Sequence, residues 1–234
     1  MKPNVVIVAG AALVLATACT VNVKPPLSPS LGMSAFDAMK VIDQREVAIA
    51  LYIDPKIKDL EIEQKIKQGK FRFPIGSAFS VKLVKALAYH FDTVVLTDQP
   101  AYSGTVPVDG LMRVTLQDVD VNMGGKPGFA TVKSESYTRL SVRAELQDLV
   151  EQKTVWVGTT QAQQSGTHQE LGQMTYQEAG RGFGEGIDRA IDEAVGDLLG
   201  QMARSANLAK YLELWESRPQ RVAPPAPQLA GPAE

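Results

Sequence analysis

The chain contains one cysteine, Cys19, among its 234 residues. A single cysteine cannot form an internal disulfide, so no covalent cross-link can stabilise the fold. The folded state must therefore be stabilised by packing. A chain of this length is long enough to bury one sizeable core, or a core with flanking tails.

Residues 1–18 have the layout of a secretory signal peptide. Lys2 precedes the apolar run Val5–Leu15, and small residues lead from this run to Cys19. The run is shorter than the roughly 20 apolar residues that a membrane-spanning helix needs, and Pro25 and its neighbour prevent its extension. The segment is therefore predicted to direct secretion and to be removed.

The residues before Cys19 resemble the bacterial lipoprotein signal, in which Leu, a small residue and Ala or Gly precede a lipidated Cys. Thr17 and Ala18 match this pattern, whereas Ala16 stands where Leu is usual and Leu15 lies one position early. The resemblance implies that the Cys19 thiol is the lipidation site and that acyl chains such as palmitate anchor the protein. The alternative is an ordinary A-x-A cleavage site that leaves Cys19 as a plain N-terminal residue.

The residue after the cysteine bears on the membrane to which the protein is sorted. Thr20 follows the cysteine where Asp indicates inner-membrane retention in enteric bacteria, so the resemblance implies the periplasmic face of the outer membrane.

Removal of residues 1–18 deletes Lys2 and changes the formal net charge from −2 to −3. A chain so near charge balance has no basic stripe to follow a phosphate backbone, which argues against a nucleic-acid partner.

Two proline-rich segments flank the predicted globular domain, residues 41–216. Residues 19–40 are expected to form the lipidated cysteine and a semi-extended tether. Residues 217–234 are expected to be a disordered tail rich in Pro and Ala, with binding to a partner as the alternative.

Two amphipathic helices are predicted in the domain. In the first, aromatic and leucine side chains recur every four residues, and Lys82 is expected on the opposite, exposed face. The second contains glycines whose expected role is close packing on a sheet. The apolar stripes are Phe79, Leu83, Leu87 and Phe91 in the first helix, and Phe183, Ile187, Ile191, Val195, Leu198 and Met202 in the second.

The remaining pattern predicts strands and the fold class. Residues 56–70 are interpreted as a loop or short helix, and residues 161–170 as a loop. The order of elements predicts an α+β fold with a mainly antiparallel sheet and two principal helices packed on one face. The expected strands are 47–53, 93–97, 110–121 with a bulge, 140–146 and 154–161.

This order of features resembles the YajG-like family of small bacterial lipoproteins over roughly residues 45–205. The features that carry the resemblance are the lipidated Cys19, a helix that ends in His90-Phe91, a strand-rich stretch and a final helix containing Ala190–Leu199. More loosely, the chain is similar to envelope lipoproteins that assist lipopolysaccharide export or activate peptidoglycan synthases. No residue-level functional motif comes with the resemblance.

The sequence contains no recognisable catalytic constellation, and we predict that the protein is not an enzyme. His90 lies at a helix end, and no G-x-S-x-G motif occurs. Ser165 and Thr167 stand beside His168, but neighbours in sequence seldom form a triad.

Metal and cofactor signals are equally weak, and neither group is predicted. Asp118 and Asp120 are expected on one face of a strand, where they are interpreted as exposed acids, with a site for a hard cation as the alternative. The glycine-rich stretch Arg181–Gly186 does not match G-x-G-x-x-G and is interpreted as a helix start.

Two polar or aromatic regions leave alternatives open. Gln161–Gln169 is either a solvated loop or a surface for sugar hydroxyls. Trp215, with Tyr211 and Leu214, either caps the core or docks a partner. The leading hypothesis is a non-catalytic accessory or assembly factor in an envelope complex, with an envelope protein as partner. The alternative is a module that binds glycan or lipid, either peptidoglycan or lipopolysaccharide.

Overall fold

The fold is seen in a computed structural model that describes residues 21–32, 35, 44–66, 69–127, 131–171 and 175–218. The predicted signal peptide, Cys19 and residues 219–234 lie outside the described residues. Within the described part of the chain, no helix is long and apolar enough to cross a membrane.

The described residues form eight strands and four helices. The strands are β1 (Val21–Val23), β2 (Arg45–Ile53), β3 (Ile62–Ile66), β4 (Gly69–Phe73), β5 (Phe91–Thr97), β6 (Gly110–Pro127), β7 (Thr131–Asp148) and β8 (Lys153–Leu171). The helices are α1 (Pro55–Lys58), α2 (Ile75–His90), α3 (Tyr176–Ala203) and α4 (Ala206–Glu216).

The main sheet has five strands in the order β5-β2-β6-β7-β8. The predicted α+β class is confirmed, and both principal helices, α2 and α3, pack on one face. The sheet is mixed, however, because β2 is parallel to both β5 and β6. The connection from β2 to β5 passes through α2 and returns the chain to the same end of the sheet, so these strands run in one direction.

The antiparallel part of the sheet is a meander of long strands. The predicted bulge in β6 is confirmed by a register shift between Leu116 and Asp118. The predicted loop at 161–170 is wrong, because β8 continues through it to Leu171 and stays paired with β7. The alternating apolar pattern is missing here because the side chains beneath α3 are small or polar.

A second sheet of three strands, in the order β1-β4-β3, lies beside the first. Its β3–β4 hairpin occupies most of the stretch interpreted as a loop or short helix, and α1 occupies its beginning. Phe71 and Phe73 of β4 are fully buried, while charged residues alternate with them on the outer side. Because charged residues are frequent in this stretch, its sequence indicates a loop or short helix and does not reveal the alternation of a strand.

Each face of the main sheet carries a core. The larger core lies between the sheet and the two principal helices and includes the predicted stripes of both helices. A smaller core on the other face is covered by Tyr102 and Val108 from the β5–β6 connection. Helix α2 begins at Ile75 after Pro74.

Candidate functional site

The N-terminal segment 21–32, which we call the strap, lies along α3 and does not extend as a free tether. Its first residues form β1 and pair in parallel with β4. Pro25 is buried, and Leu27 and Leu31 pack against the main core. The strap therefore belongs to the folded domain, although its proline content suggested a linker.

Lys82 of α2 lies in a buried ion cluster with two carboxylates of α3. Its side chain is 0% exposed, and its Nζ lies 2.9 Å from Asp192 Oδ1 and 3.2 Å from Asp188 Oδ1. The expectation that Lys82 is exposed is therefore wrong. Lys82 follows Phe79 by three residues, which places the two side chains on one helix face, and this face meets α3.

The same carboxylates accept hydrogen bonds from the strap. The backbone N–H of Ser28 donates to Asp188 at 2.9 Å, and that of Gly32 donates to Asp192 at 3.1 Å. Lys85 Nζ donates to the carbonyl oxygen of Pro29 at 2.6 Å. A buried ion pair is stable only when further hydrogen bonds satisfy its oxygens. The strap supplies those bonds, so it and the ion cluster form one structural unit.

A groove of about 880 Å³ runs between the strap and the first half of α3. Proline and leucine carbons form one wall, and Arg181, Glu185 and Asp188 lie on the other. Its remaining lining residues are Asn22, Val23, Lys24, Pro25, Pro26, Leu27, Ser28, Pro29, Thr175, Gln177 and Gly184. None of these lining residues is a histidine or a cysteine.

Some glycines of α3 allow it to lie close on β7 and β8, which is the role expected from the sequence, whereas Gly184 faces Leu27 of the strap. A Cβ atom on Gly186 would lie 2.6 Å from Ser136 Oγ, and one on Gly182 would lie 3.0 Å from Ser134 Oγ. Both serines are buried. The glycine-rich stretch 181–186 is therefore inside a helix that starts at Tyr176 with a capping box from Thr175, and it forms no phosphate-binding loop.

The histidines lie on separate elements. His90 is buried at the end of α2, where its ring centroid lies 4.6 Å from that of Phe91. His168 lies on β8, where its Cβ approaches Gly182 of α3. Because side chains alternate along a strand, Ser165 and Thr167 lie on the face opposite His168. The three side chains do not converge on a common point.

The two acids of the predicted pair on β6 have different partners. Asp118 forms an ion pair with Arg139 of β7 at 2.8 Å. Asp120 accepts a hydrogen bond of 2.9 Å from Asn122. No group of three or more His, Cys, Asp or Glu residues in the described ranges is arranged to hold a metal ion.

The polar stretch Gln161–Gln169 presents one face of β8 to solvent. Its odd-numbered residues are exposed, whereas Ala162 is buried and Gln164 donates to Glu193 of α3 at 2.7 Å. At the far end of this face, a cavity of about 400 Å³ opens between the three long strands. Its lining residues are Asn122, Met123, Gly124, Glu135, Ser136, Tyr137, Ser165, Gly166 and Thr167.

Trp215 caps the core, whereas Leu214 is 43% exposed. Trp215 is buried, and its indole N–H donates to Asp148 Oδ2 at 2.6 Å. Arg218 contacts the same oxygen at 2.6 Å. Of the two alternatives for this aromatic region, the structure therefore favours core packing.

Asp148 is the second buried charge that the sequence did not reveal. Its burial alone would raise the pKa of its carboxyl group, but hydrogen bonds from Arg218, Trp215 and the backbone N–H groups of Glu151 and Val150 reverse the effect. The net result is a pKa below the usual value for Asp. The described fold thus continues to Arg218, two residues beyond the expected end of the domain.

Sequence signals for the ion cluster existed and were missed. Asp188 and Asp192 are one helical turn apart and each follows an isoleucine of the apolar stripe, which places them beside the core. Lys82 likewise lies between Phe79 and Leu83 of the first stripe.

No protein-family model matches the chain. No curated protein sequence matches it either. Several solved bacterial structures are similar in fold at low identity. A Xanthomonas campestris protein of family DUF330 is 11% identical with a TM-score of 0.46, and the match covers 78% of this chain and 98% of that one.

Two further structures are more distant. A Helicobacter pylori homologue of a neuraminyllactose-binding hemagglutinin has a TM-score of 0.36 and 8% identity, with 74% of this chain and 94% of that chain covered. A minor lipoprotein from Acinetobacter baumannii has a TM-score of 0.30 and 11% identity, with 71% and 95% covered. The resemblance to the YajG-like family stays a prediction.

Proposed function

We propose that the protein is a lipid-anchored envelope protein that acts as a non-catalytic accessory or assembly factor. One observation carries the proposal. The strap is bound to the domain from Val21 onward, only two residues after Cys19. A lipid on Cys19 would therefore hold the folded domain itself at the membrane surface, on the periplasmic face of the outer membrane.

The placement of the polar residues supports a binding role over a catalytic one. The histidines lie on separate elements, and Ser165 and Thr167 face away from His168. The buried charges Lys82 and Asp148 hold elements together. Catalysis needs a nucleophile and a base within hydrogen-bond reach, and the predicted site residues do not supply that pair.

The surface best suited to a protein partner is the outer face of β7 and β8. It displays hydrogen-bonding side chains of both strands in register, among them Ser141 opposite Gln161 and Arg139 opposite Gln163. The loop that covers the other half of this sheet face does not extend over them. Such a face can supply direct hydrogen bonds, of which a protein–protein interface typically contains about ten.

A second candidate function is glycan or lipid binding on the same face. The cavity of about 400 Å³ favours it, because Asn122, Tyr137, Ser165 and Thr167 line it together. Aromatic and uncharged polar side chains in one concave site are suited to a ligand rich in hydroxyl groups. Peptidoglycan and lipopolysaccharide are the ligands of that chemistry in this compartment.

The lipid anchor is tested by cell fractionation with a palmitate analogue. Wild-type protein is expected in the membrane fraction with the label, whereas Cys19→Ser is expected to be unlabelled and released from that membrane. An unlabelled wild type that is soluble in the periplasm would contradict the proposal.

The accessory role is tested by purifying the detergent-solubilised protein and identifying what accompanies it by mass spectrometry. Gln161→Ala with Gln163→Ala is the test variant, and Lys210→Ala on α4 is the control. Protein partners that the double variant loses support the accessory role, whereas retained glycolipid supports the second function. Retention of all partners by the double variant would exclude this face as the surface that binds them.

A further inference from the structure

The position of β1 limits how far the domain can move from a lipid on Cys19. Two residues of extended chain span at most about 7 Å. The strap then runs beside α3 in the same direction, from Pro25 at Gly180 to Gly32 at Asp192. The anchor therefore lies near the N-terminal end of α3. This step rests on the lipidation in the proposed function.

The outer face of the small sheet, beside this anchor, is basic. Phe71 and Phe73 point into the core, so Lys70 and Arg72, which alternate with them, point outward. Lys65 of β3 and Lys24 after β1 are also exposed. We call these four basic residues, together with Glu63, the basic face.

The basic face concentrates positive charge next to Val21. In the pairing register, Lys70 lies opposite Lys65 on one side and Asn22 on the other. Like charges directly across a strand pair are destabilising. Glu63 relieves part of this repulsion, since its carboxylate contacts Lys70 at 2.6 Å and Arg72 at 3.1 Å. Glu61, just before β3, is a second exposed acid beside the face. Four basic residues thus outnumber two acidic ones, and an external anion would complement the excess positive charge.

The excess of positive charge belongs to this face and is not a property of the whole chain. The predicted mature chain carries a net charge of −3, so a basic face beside the anchor is a local feature. Anionic membrane surfaces attract basic segments at the membrane, and one lipid signal is strengthened by a basic patch. We propose that the basic face lies on the membrane surface, binds the phosphate groups of anionic lipids and fixes the orientation of the domain.

The two ends of α3 lie at different distances from the basic face. The helix has 28 residues and is thus about 42 Å long. The β7–β8 turn lies at its C-terminal end, where Gln201 bonds Thr159. Val150 in this turn is therefore expected to lie far from the basic face and from the lipid that it contacts.

The test uses the lipidated full-length protein in vesicles, with a fluorophore on a single added cysteine. Glu61→Cys places the label at the end of β3 farthest from Val21, so it approaches the lipid only if the basic face lies flat. Val150→Cys, at a position that is 52% exposed, is the distal reference. Quenching by a headgroup-labelled lipid is measured in phosphatidylglycerol and in phosphatidylcholine vesicles.

The proposal predicts quenching at position 61 in phosphatidylglycerol vesicles and little quenching at position 150. Replacement of Lys65, Lys70 and Arg72 by Gln is expected to abolish the quenching, since each removed charge weakens the contact about fivefold. Lys153→Gln with Lys210→Gln, at the other end of α3, is the control and is expected to leave it unchanged. Thermal melts verify that each variant is folded.

Two outcomes overturn the proposal, and they are distinguishable. In the first, the protein is acylated, but position 61 is unquenched, or is quenched equally in both lipids and in the triple variant. The proposed membrane contact of the basic face then fails, while the lipid anchor stands. An intact mass without acyl chains contradicts the lipid anchor, and the proposed function and this inference then fail together.

Discussion

Lys82 of α2 and Asp192 of α3 form an ion pair of 2.9 Å in which the lysine side chain is completely buried. The pair joins the two principal helices, and through Gly32 it also holds the strap. Its position explains why an N-terminal segment rich in proline is part of the fold.

Lys82→Ala is expected to destabilise the protein by about 3–5 kcal/mol, because it leaves two carboxylates in a partly buried site without their cation. Denaturant unfolding measures the change. Lys210→Ala, an exposed lysine of α4, is the control and should change stability by no more than about 0.5 kcal/mol. Equal, small effects for both variants would show that the ion cluster does not form.

Leu83→Ala is expected to cost about 2–5 kcal/mol, because Leu83 is buried in the main core and its truncation leaves a cavity. The same unfolding experiment measures this loss. Val81→Ala, on the same helix but 38% exposed, should cost clearly less. A cost near zero for Leu83→Ala would mean that this stripe is open to solvent.

Two glycines of α3 are expected to respond in opposite directions to alanine. A Cβ on Gly182 would collide with the Cβ of His168 and crowd Ser134 Oγ at 3.0 Å, so Gly182→Ala should destabilise the protein. A Cβ on Gly184 meets its nearest atom, Leu27 Cδ2, at an ordinary 3.6 Å. Gly184→Ala should therefore stabilise the helix by up to about 1 kcal/mol. Melting temperatures of the two variants that shift in the same direction would contradict this packing.

Asp148 is expected to make stability depend on acid pH. Because its folded pKa lies below the unfolded value, which is about 3.9, its ionisation stabilises the fold above that pH. This contribution is lost as the pH falls through the folded pKa. Asp148→Asn should thus be less stable than wild type at pH 6, and the difference should shrink below about pH 4.

The matched control for this pH dependence is Asp98→Asn. A hydrogen bond from Lys58 also lowers the pKa of Asp98, but its side chain is 94% exposed, so solvent screens the pair. Melting temperatures between pH 6 and pH 3 should hardly separate this variant from wild type. A pH-independent deficit in Asp148→Asn would mean that the ionised carboxylate is not the stabilising form.

Much of the fold could be predicted because its signals are local. The helix stripes that contain Leu83 and Ile187 follow a regular period, and the one-residue phase change in β6 marks a real bulge at Leu116. The second half of β8 could not be predicted, because its inward positions, such as Gly166, are small or polar residues that pack against the glycines of α3.

The buried ion cluster and the strap could not be predicted either, because both depend on contacts between separate parts of the chain. A lysine such as Lys82 is usually exposed, and only the approach of Asp188 and Asp192 from another helix makes its burial favourable. The strap was hidden because its prolines suggest an extended linker, whereas its backbone N–H groups, at Ser28 and Gly32, bind that cluster. Both features depend on tertiary contacts.

Hydrogen exchange across residues 21–32 tests most directly whether the strap is part of the domain. The structure predicts slow exchange at the amides of Ser28 and Gly32, which donate to Asp188 and Asp192, and faster exchange there in Lys82→Met than in Lys210→Ala. Exchange as fast as in an unstructured peptide, with no change in Lys82→Met, would contradict a docked strap and support a free tether.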